Sequence, residues 1–297
     1  MRIDDLEQSS NVEDRRGMGG VVKGGGLGIG AIIGLTLLGN VLGIDPRILI
    51  GGAEMVSRGT GSSQQQGRTG PAQDEMQVFV NRVLRSTEIV WSELYPRQAG
   101  TLNQRAQGQP YQPPRLVSFT QRTGTQCGVG EAAMGPFYCP PDATVYIDNA
   151  FFNEMRQRLG GGGQFAYAYV VAHEVGHHIQ HKLGILNQVQ QAKQRLNRLE
   201  QNRLQVRVEL MADCLAGVWA HHFQTLGGVQ RITQQDVDQA LRTAAAIGDD
   251  SLQRGAGRPV QQESFTHGSA EQRMQWFSQG FQRGTMASCN TFQTART

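Results

Sequence analysis

The segment QFAYAYVVAHEVGHHIQHKL, residues 164–183, decides how this chain is read. It reads as one central helix that Gly184 ends. Inside it stands His173-Glu174-Val175-Gly176-His177. Residues four apart lie one turn apart on the same helix face, so both imidazoles can reach one zinc ion. Glu174 lies about 100° round the helix from His173. From there it can take a proton from an attacking water, the H-E-x-x-H arrangement of zinc-dependent peptide hydrolysis. A catalytic zinc takes three protein ligands and keeps one open position, so this helix needs a partner.

The partner lies downstream in ELMADCLAGVWA, residues 209–220. Glu209 supplies an oxygen ligand. Asp213, one turn on, can accept a hydrogen bond from a ligand histidine and fix its tautomer. Both acids sit beside an apolar run, where burial without a metal would be costly. Rival histidines fare less well. His177 and His181 are also four apart, but His178 then stands where the acid should be, so His178 and His181 read as supporting or exposed residues. His221 and His222 sit near a helix end and read as structural.

Working outward, residues 78–94 carry apolar side chains at helical spacing. The polar, proline-containing stretch 100–114 reads as loop. Residues 115–120 and 144–147 read as strands. Residues 151–159 look helical and stop at a run of four glycines. Residues 185 to about 224 are helical again, broken once. Thr233 caps a helix over 234–247, and Ser269 with Gln272 forms a capping-box pattern at the start of a last helix. The fold class expected is α+β, mostly helical, with a small sheet, and the catalytic domain is expected over residues 76–297.

Residues 24–44 read GGGLGIGAIIGLTLLGNVLGI, without a charge, which is the length that spans a bilayer. Arg2, Arg15, Arg16 and Lys23 precede this run, and only Arg47 and Arg58 follow closely. The positive-inside rule therefore predicts a single-pass anchor, with residues 1–23 cytoplasmic and the domain outside the cytoplasm. Gly26, Gly30 and Gly34 recur at the spacing of self-associating membrane helices. Residues 45–75 are rich in Gly, Ser and Gln and read as a flexible linker.

The bulk numbers fit this layout. The chain has 297 residues and a net charge of +3 with scattered basic residues, which leaves no footprint for nucleic acid. Four cysteines, Cys127, Cys139, Cys214 and Cys289, form no C-x-x-C pair. An oxidising compartment would allow two bridges. Cys127 and Cys139 flank a short Gly-rich loop, and Cys214 would then pair with Cys289.

These motifs resemble the gluzincin peptidases, whose third zinc ligand is a glutamate on a following helix. More closely, the chain is similar to the bacterial neutral zinc metallopeptidase family. The resemblance runs from SSNVEDRRG (9–17) through CGVGEAAMGPFYCPPDATVYID (127–148), HEVGHHIQ (173–180) and ELMADCLAGVWA (209–220) to SFTHGSAEQRMQWF (264–277). It implies a membrane-anchored peptidase of the bacterial inner membrane, with its catalytic domain periplasmic and a protein or peptide as substrate. Related gluzincins place a histidine and an arginine in a similar C-terminal stretch. That resemblance makes His267, on a loop before a capped helix, a candidate donor to the reacting oxygen, and Arg273 a candidate for orienting a carboxylate or binding substrate. The competing class is a non-catalytic envelope protein, a binding or regulatory module whose zinc site is structural or vestigial; a structural zinc would need a fourth protein ligand.

Overall fold

The computed structural model describes residues 1–16, 68–69, 74–158 and 163–293. The expected membrane run 24–44, with Gly26, Gly30 and Gly34, and nearly all of the linker 45–75 lie outside the described residues. Among the described residues no helix is long and apolar enough to cross a membrane.

Helices dominate. Helix α1 (Glu75–Gln98) starts at Asp74, whose side chain accepts the backbone N–H of Gln77. It buries Val80, Val83, Leu84, Val90, Trp91 and Leu94, the apolar set read from the sequence. Helix α2 (Ala150–Arg158) is short. Helix α3 (Gln164–Lys182) is the central one, buried along nearly its whole length. The break expected in the helical stretch after it separates α4 (Ile185–Lys193) from α5 (Arg198–Phe223). Asn197 and Glu200 form a capping box that restarts the chain as α5. Three more follow: α6 (Gln234–Ala246), α7 (Asp249–Gly255) and α8 (Ala270–Arg283). The capping residues expected at Thr233 and at Ser269 with Gln272 make their bonds.

The core is built where α1, α3, α5 and α8 cross. Trp219 of α5 stacks between Phe165 of α3 and Phe223, with ring centroids 6.0 and 5.2 Å away. Its indole N–H donates to Ser86 Oγ of α1 at 3.1 Å, so the buried polar end has a partner. Helices α5 and α8 approach at glycines. A Cβ on Gly280 would fall 1.9 Å from the Cys214 carbonyl oxygen, and one on Gly217 would fall 2.2 Å from that of Phe277. Nothing larger than glycine fits this crossing. The Cys214–Cys289 disulfide closes it, and Cys127–Cys139 is also formed, so both expected bridges are present.

The sheet has the order β2-β1-β3-β7-β6. Its strands are β1 (Val12–Asp14), β2 (Arg68–Thr69), β3 (Arg115–Phe119), β6 (Phe137–Cys139) and β7 (Thr144–Asp148). Strands β4 (Arg122–Thr125) and β5 (Gly128–Glu131) form a separate hairpin.

One expectation needs correction here. The sequence reading sets residues 1–23 apart from a domain that begins at 76. Instead, β1 lies inside the sheet, parallel to β3 and antiparallel to β2. Ile3 is 1 % exposed. Ser9 Oγ and Asn11 Nδ2 both donate to Glu88 of α1, the N-terminal ammonium meets Asp236, and Arg231 forks onto Asp5. Residues 1–16 are thus part of the same folded body as residues 74–293. The partner of β1 is a hundred positions away, and a three-residue polar strand carries no periodicity that would announce it.

Candidate metal centre

The two ligand-bearing helices, α3 and α5, meet because Gly176 lies between the two histidines. A Cβ there would stand 3.0 Å from the Ala212 carbonyl oxygen and 3.1 Å from its Cα. The backbone of α5 can therefore come close enough for Glu209 to face both imidazoles. His173 Nε2 lies 3.2 Å from Glu209 Oε2, and His177 Nε2 lies 3.4 Å from the same oxygen. One ligand atom from each of the three residues falls within 4.8 Å of the others, a group that could hold a metal ion.

The other ring nitrogens are already committed. His173 Nδ1 donates to Asp213 Oδ1 at 2.8 Å, since a carboxylate only accepts. His177 Nδ1 donates to Gln180 Oε1 at 2.9 Å, and Gln180 in turn donates to the Val208 carbonyl. With both Nδ1 atoms bearing hydrogen, both Nε2 lone pairs point toward Glu209. Such outer partners fix the tautomer and raise the basicity of ligand histidines. Glu209 is braced as well: its Oε1 accepts from Gln205 Nε2 at 2.7 Å.

This donor set fits zinc. Tetrahedral bonds of about 2.0–2.1 Å place neighbouring ligand atoms roughly 3.3 Å apart, the separation found between Glu209 Oε2 and each Nε2. The electrostatics agree. Burial disfavours charge on His177, yet the Glu209 carboxylate beside it pushes its pKa up to about 9. Burial likewise opposes ionisation of Glu209, and the two histidines hold it well below the usual range. A position between these groups thus favours positive charge, and a divalent ion satisfies it while displacing protons.

Behind the histidines lies a fully buried ion pair. Arg273 of α8 reaches both oxygens of Asp213, through Nε at 2.8 Å and through a terminal nitrogen at 2.9 Å. Tyr169 Oη donates to Asp213 Oδ1 at 2.5 Å. Burial would raise the Asp213 pKa, but Arg273 and His173 hold it down to about 2. Arg273 is thus the ion-pair partner of Asp213, the acid that accepts from His173.

The three candidate ligands open onto a cleft of about 770 Å³, lined also by Glu174, His267 and Arg273. Glu174 is 7 % exposed, and its burial raises its pKa. His267 stands half-exposed at the rim. Asp249 holds its loop by accepting the backbone N–H groups of Thr266, His267 and Gly268, and its other oxygen lies 3.3 Å from His267 Nδ1. Partial burial opposes charge on this ring. The bond to Asp249 and the charge of Glu209 outweigh that and raise the pKa.

The remaining histidines take supporting places. Tyr138 of β6 bridges His178 Nδ1 at 2.9 Å and His181 Nδ1 at 2.7 Å, while His178 Nε2 reaches the Gln112 carbonyl. These bonds pin the strand beside the cleft to α3. His221 and His222 bond the carbonyls of Phe281 and Gly284 at the end of α8. Sequence reasoning missed Gln180, Gln205, Tyr169 and Asp249. Of these only Gln180 carried a signal, three residues after His177 on the same helix face.

An H-E-x-x-H helix, a glutamate from a second helix and an open cleft define the zinc-peptidase class. The family described as "Putative neutral zinc metallopeptidase" matches residues 1–292, and the chain belongs to that family. Zinc is the metal this membership implies. The protein YpfJ of Escherichia coli (strain K12) is 42 % identical over 98 % of this chain and 99 % of its own length. The protein Rv2575 of Mycobacterium tuberculosis (strain H37Rv) is 38 % identical over 86 % of this chain and 85 % of its own. Both relatives are described as uncharacterized. No solved structure matches the chain.

Proposed function

We propose that the chain is a zinc-dependent endopeptidase in which His173, His177 and Glu209 hold the metal and Glu174 is the general base. The observation that supports this best is the convergence of both Nε2 atoms on Glu209 Oε2, at the floor of an open cleft and beside a buried glutamate. Bound zinc supplies a Lewis acid that polarises a peptide carbonyl and acidifies water. Glu174 accepts the proton of the attacking water and returns it to the leaving amine nitrogen. Its burial makes it a stronger base than an exposed glutamate. His267, at the rim, donates an N–H to the carbonyl oxygen as negative charge builds there. Asp213, Gln180 and Gln205 hold the three ligands in register, and Arg273 holds Asp213.

A non-catalytic module with a closed structural zinc would need a fourth protein ligand. Among the described residues the candidate group contributes three. The test is hydrolysis of an unstructured protein by the full chain, blocked by a chelator and restored by zinc. A chain that binds zinc at one per molecule yet cleaves no unstructured protein overturns the proposal.

We also propose that residues 24–44 attach the chain to a membrane, with a topology different from the single crossing expected from flanking charge. That crossing would put residues 1–16 and 74–293 on opposite faces of the bilayer. Strand β1 pairs with β3, so the two parts need the same face. Asp14 also pairs with Arg68, so the chain leaves the sheet and returns to it at one place. The domain outside the cytoplasm, which the two disulfides favour, then carries its N-terminus with it.

A further inference from the structure

One wall of the cleft carries a cation that the reaction described above does not use. Lys193 ends α4 and lines the cleft with Asn187 and Gln190 from the same helix. Its ammonium donates to Gln205 Oε1, and Gln205 passes a hydrogen bond to Glu209 Oε1. One amide therefore separates Lys193 from a candidate metal ligand. The other cations of the cleft are paired with carboxylates: Arg273 with Asp213, and His267 with Asp249. Among the described residues, Lys193 meets no carboxylate at ion-pair distance, and its hydrogen-bond acceptor is a neutral amide. A half-buried ammonium with such a partner has lost part of its hydration without gaining an opposite charge. Desolvation accordingly lowers its pKa, which Glu209 partly offsets.

We propose that Lys193 is a specificity-determining residue that takes a substrate carboxylate, so that the chain prefers peptides with an acidic side chain or a free C-terminus within about two residues of the cleaved bond. This rests on the peptidase reading. The distance follows from the chain of contacts: two hydrogen bonds and one amide separate the ammonium from Glu209. An extended peptide advances about 3.4 Å per residue, so such a span corresponds to roughly two residues. A lysine on a flexible stem suits either source of carboxylate, because it acts as a point charge rather than a rigid fork.

The test uses the full chain and a set of peptides that differ by Asp against Asn at each of the two positions on either side of the cut. A second pair differs by a free against an amidated C-terminus two residues beyond it. At one placement the carboxylate is expected to raise kcat/KM about tenfold over its amide. The placement that responds tells a side chain from a C-terminus. Lys193→Met should reduce that ratio to about one, and Lys193→Arg should keep most of it. The same peptides are titrated calorimetrically onto the zinc-loaded Glu174→Gln protein, with and without Lys193→Met. This arm reads binding without turnover and so stands apart from the peptidase reading. A chain that cleaves nothing contradicts that reading, while the binding arm still decides the role of Lys193. Equal ratios in wild type and Lys193→Met, or no discrimination at any placement, overturns the proposal. Loss of zinc from Lys193→Met also overturns it, because Lys193 would then be a support for Glu209.

Discussion

Gly176 of the central helix rests against Ala212 of α5 so closely that a Cβ would meet the Ala212 carbonyl oxygen at 3.0 Å, a contact a methyl group makes only if the two helices give slightly. This contact sets how near Glu209 comes to His173 and His177. Alanine at 176 would gain about 1 kcal/mol of helix propensity and lose a similar amount or more to overpacking. Gly176→Ala is therefore expected to leave global stability nearly unchanged and to weaken zinc binding. Gly176→Val should cost about 1–3 kcal/mol of stability and weaken zinc further. Chemical unfolding and chelator competition measure the two effects. Unchanged zinc affinity in the valine variant would show that the helix spacing does not control the site.

The Arg273–Asp213 pair predicts a second effect. Asp213 is fully buried, and Arg273 is 3 % exposed. Removing one partner of a buried pair leaves an uncompensated charge, at about 3–5 kcal/mol. Arg273→Met should destabilise the chain on that scale. It should also lower zinc affinity about 10–100-fold, since Asp213 orients His173. Arg273→Lys should recover only part of this, because an ammonium cannot reproduce the two-pronged contact. Wild-type unfolding and zinc titrations in Arg273→Met would contradict this.

Much of the site was legible because helical spacing is local. The histidines four apart, the acid between them, and Glu209 and Asp213 one turn apart all follow from a single period. The caps at Thr233 and Ser269 are local signals too. What stayed hidden depends on distant partners. Strand β1 is three residues long and pairs with residues a hundred positions away. The Gly- and Thr-rich β4–β5 hairpin lacks apolar alternation, and α7 is seven residues of mostly polar chain. Gln205 and Lys193 lie in a polar, Gln- and Arg-rich stretch that carries no motif to mark them. They become meaningful only when α4 folds back along α5.

The docking of the N-terminus predicts both a stability and a sidedness result. Deleting residues 1–14 removes β1 from between β2 and β3 and uncovers the surface under Ile3. The truncated chain should unfold at lower denaturant and yield to proteolysis faster than the full chain. Asp4 and Glu93 are both exposed, on the N-terminal segment and on α1. Cysteines placed singly at these positions should react with a membrane-impermeant thiol reagent from the same side of the membrane in expressing cells. Labelling from opposite sides would restore the single crossing.

His267 offers a way to separate metal binding from stabilisation of the reacting oxygen. It lines the cleft without belonging to the ligand group. His267→Ala should retain zinc and lose roughly a hundredfold in kcat, the scale of one donor to a developing oxyanion. Unchanged turnover would remove His267 from the reaction.

The central claim is that Glu174 moves the proton while His173, His177 and Glu209 hold the metal. Zinc content and hydrolysis of an unstructured protein, measured on the same preparations of wild type and Glu174→Gln, test it most directly. Glutamine keeps the size and shape of the side chain and removes the base. Both proteins should carry about one zinc per chain, as one three-ligand site requires, and hydrolysis should fall about 10²–10⁴-fold in the variant. A Glu174→Gln chain that keeps its zinc and cleaves at the wild-type rate would contradict the account.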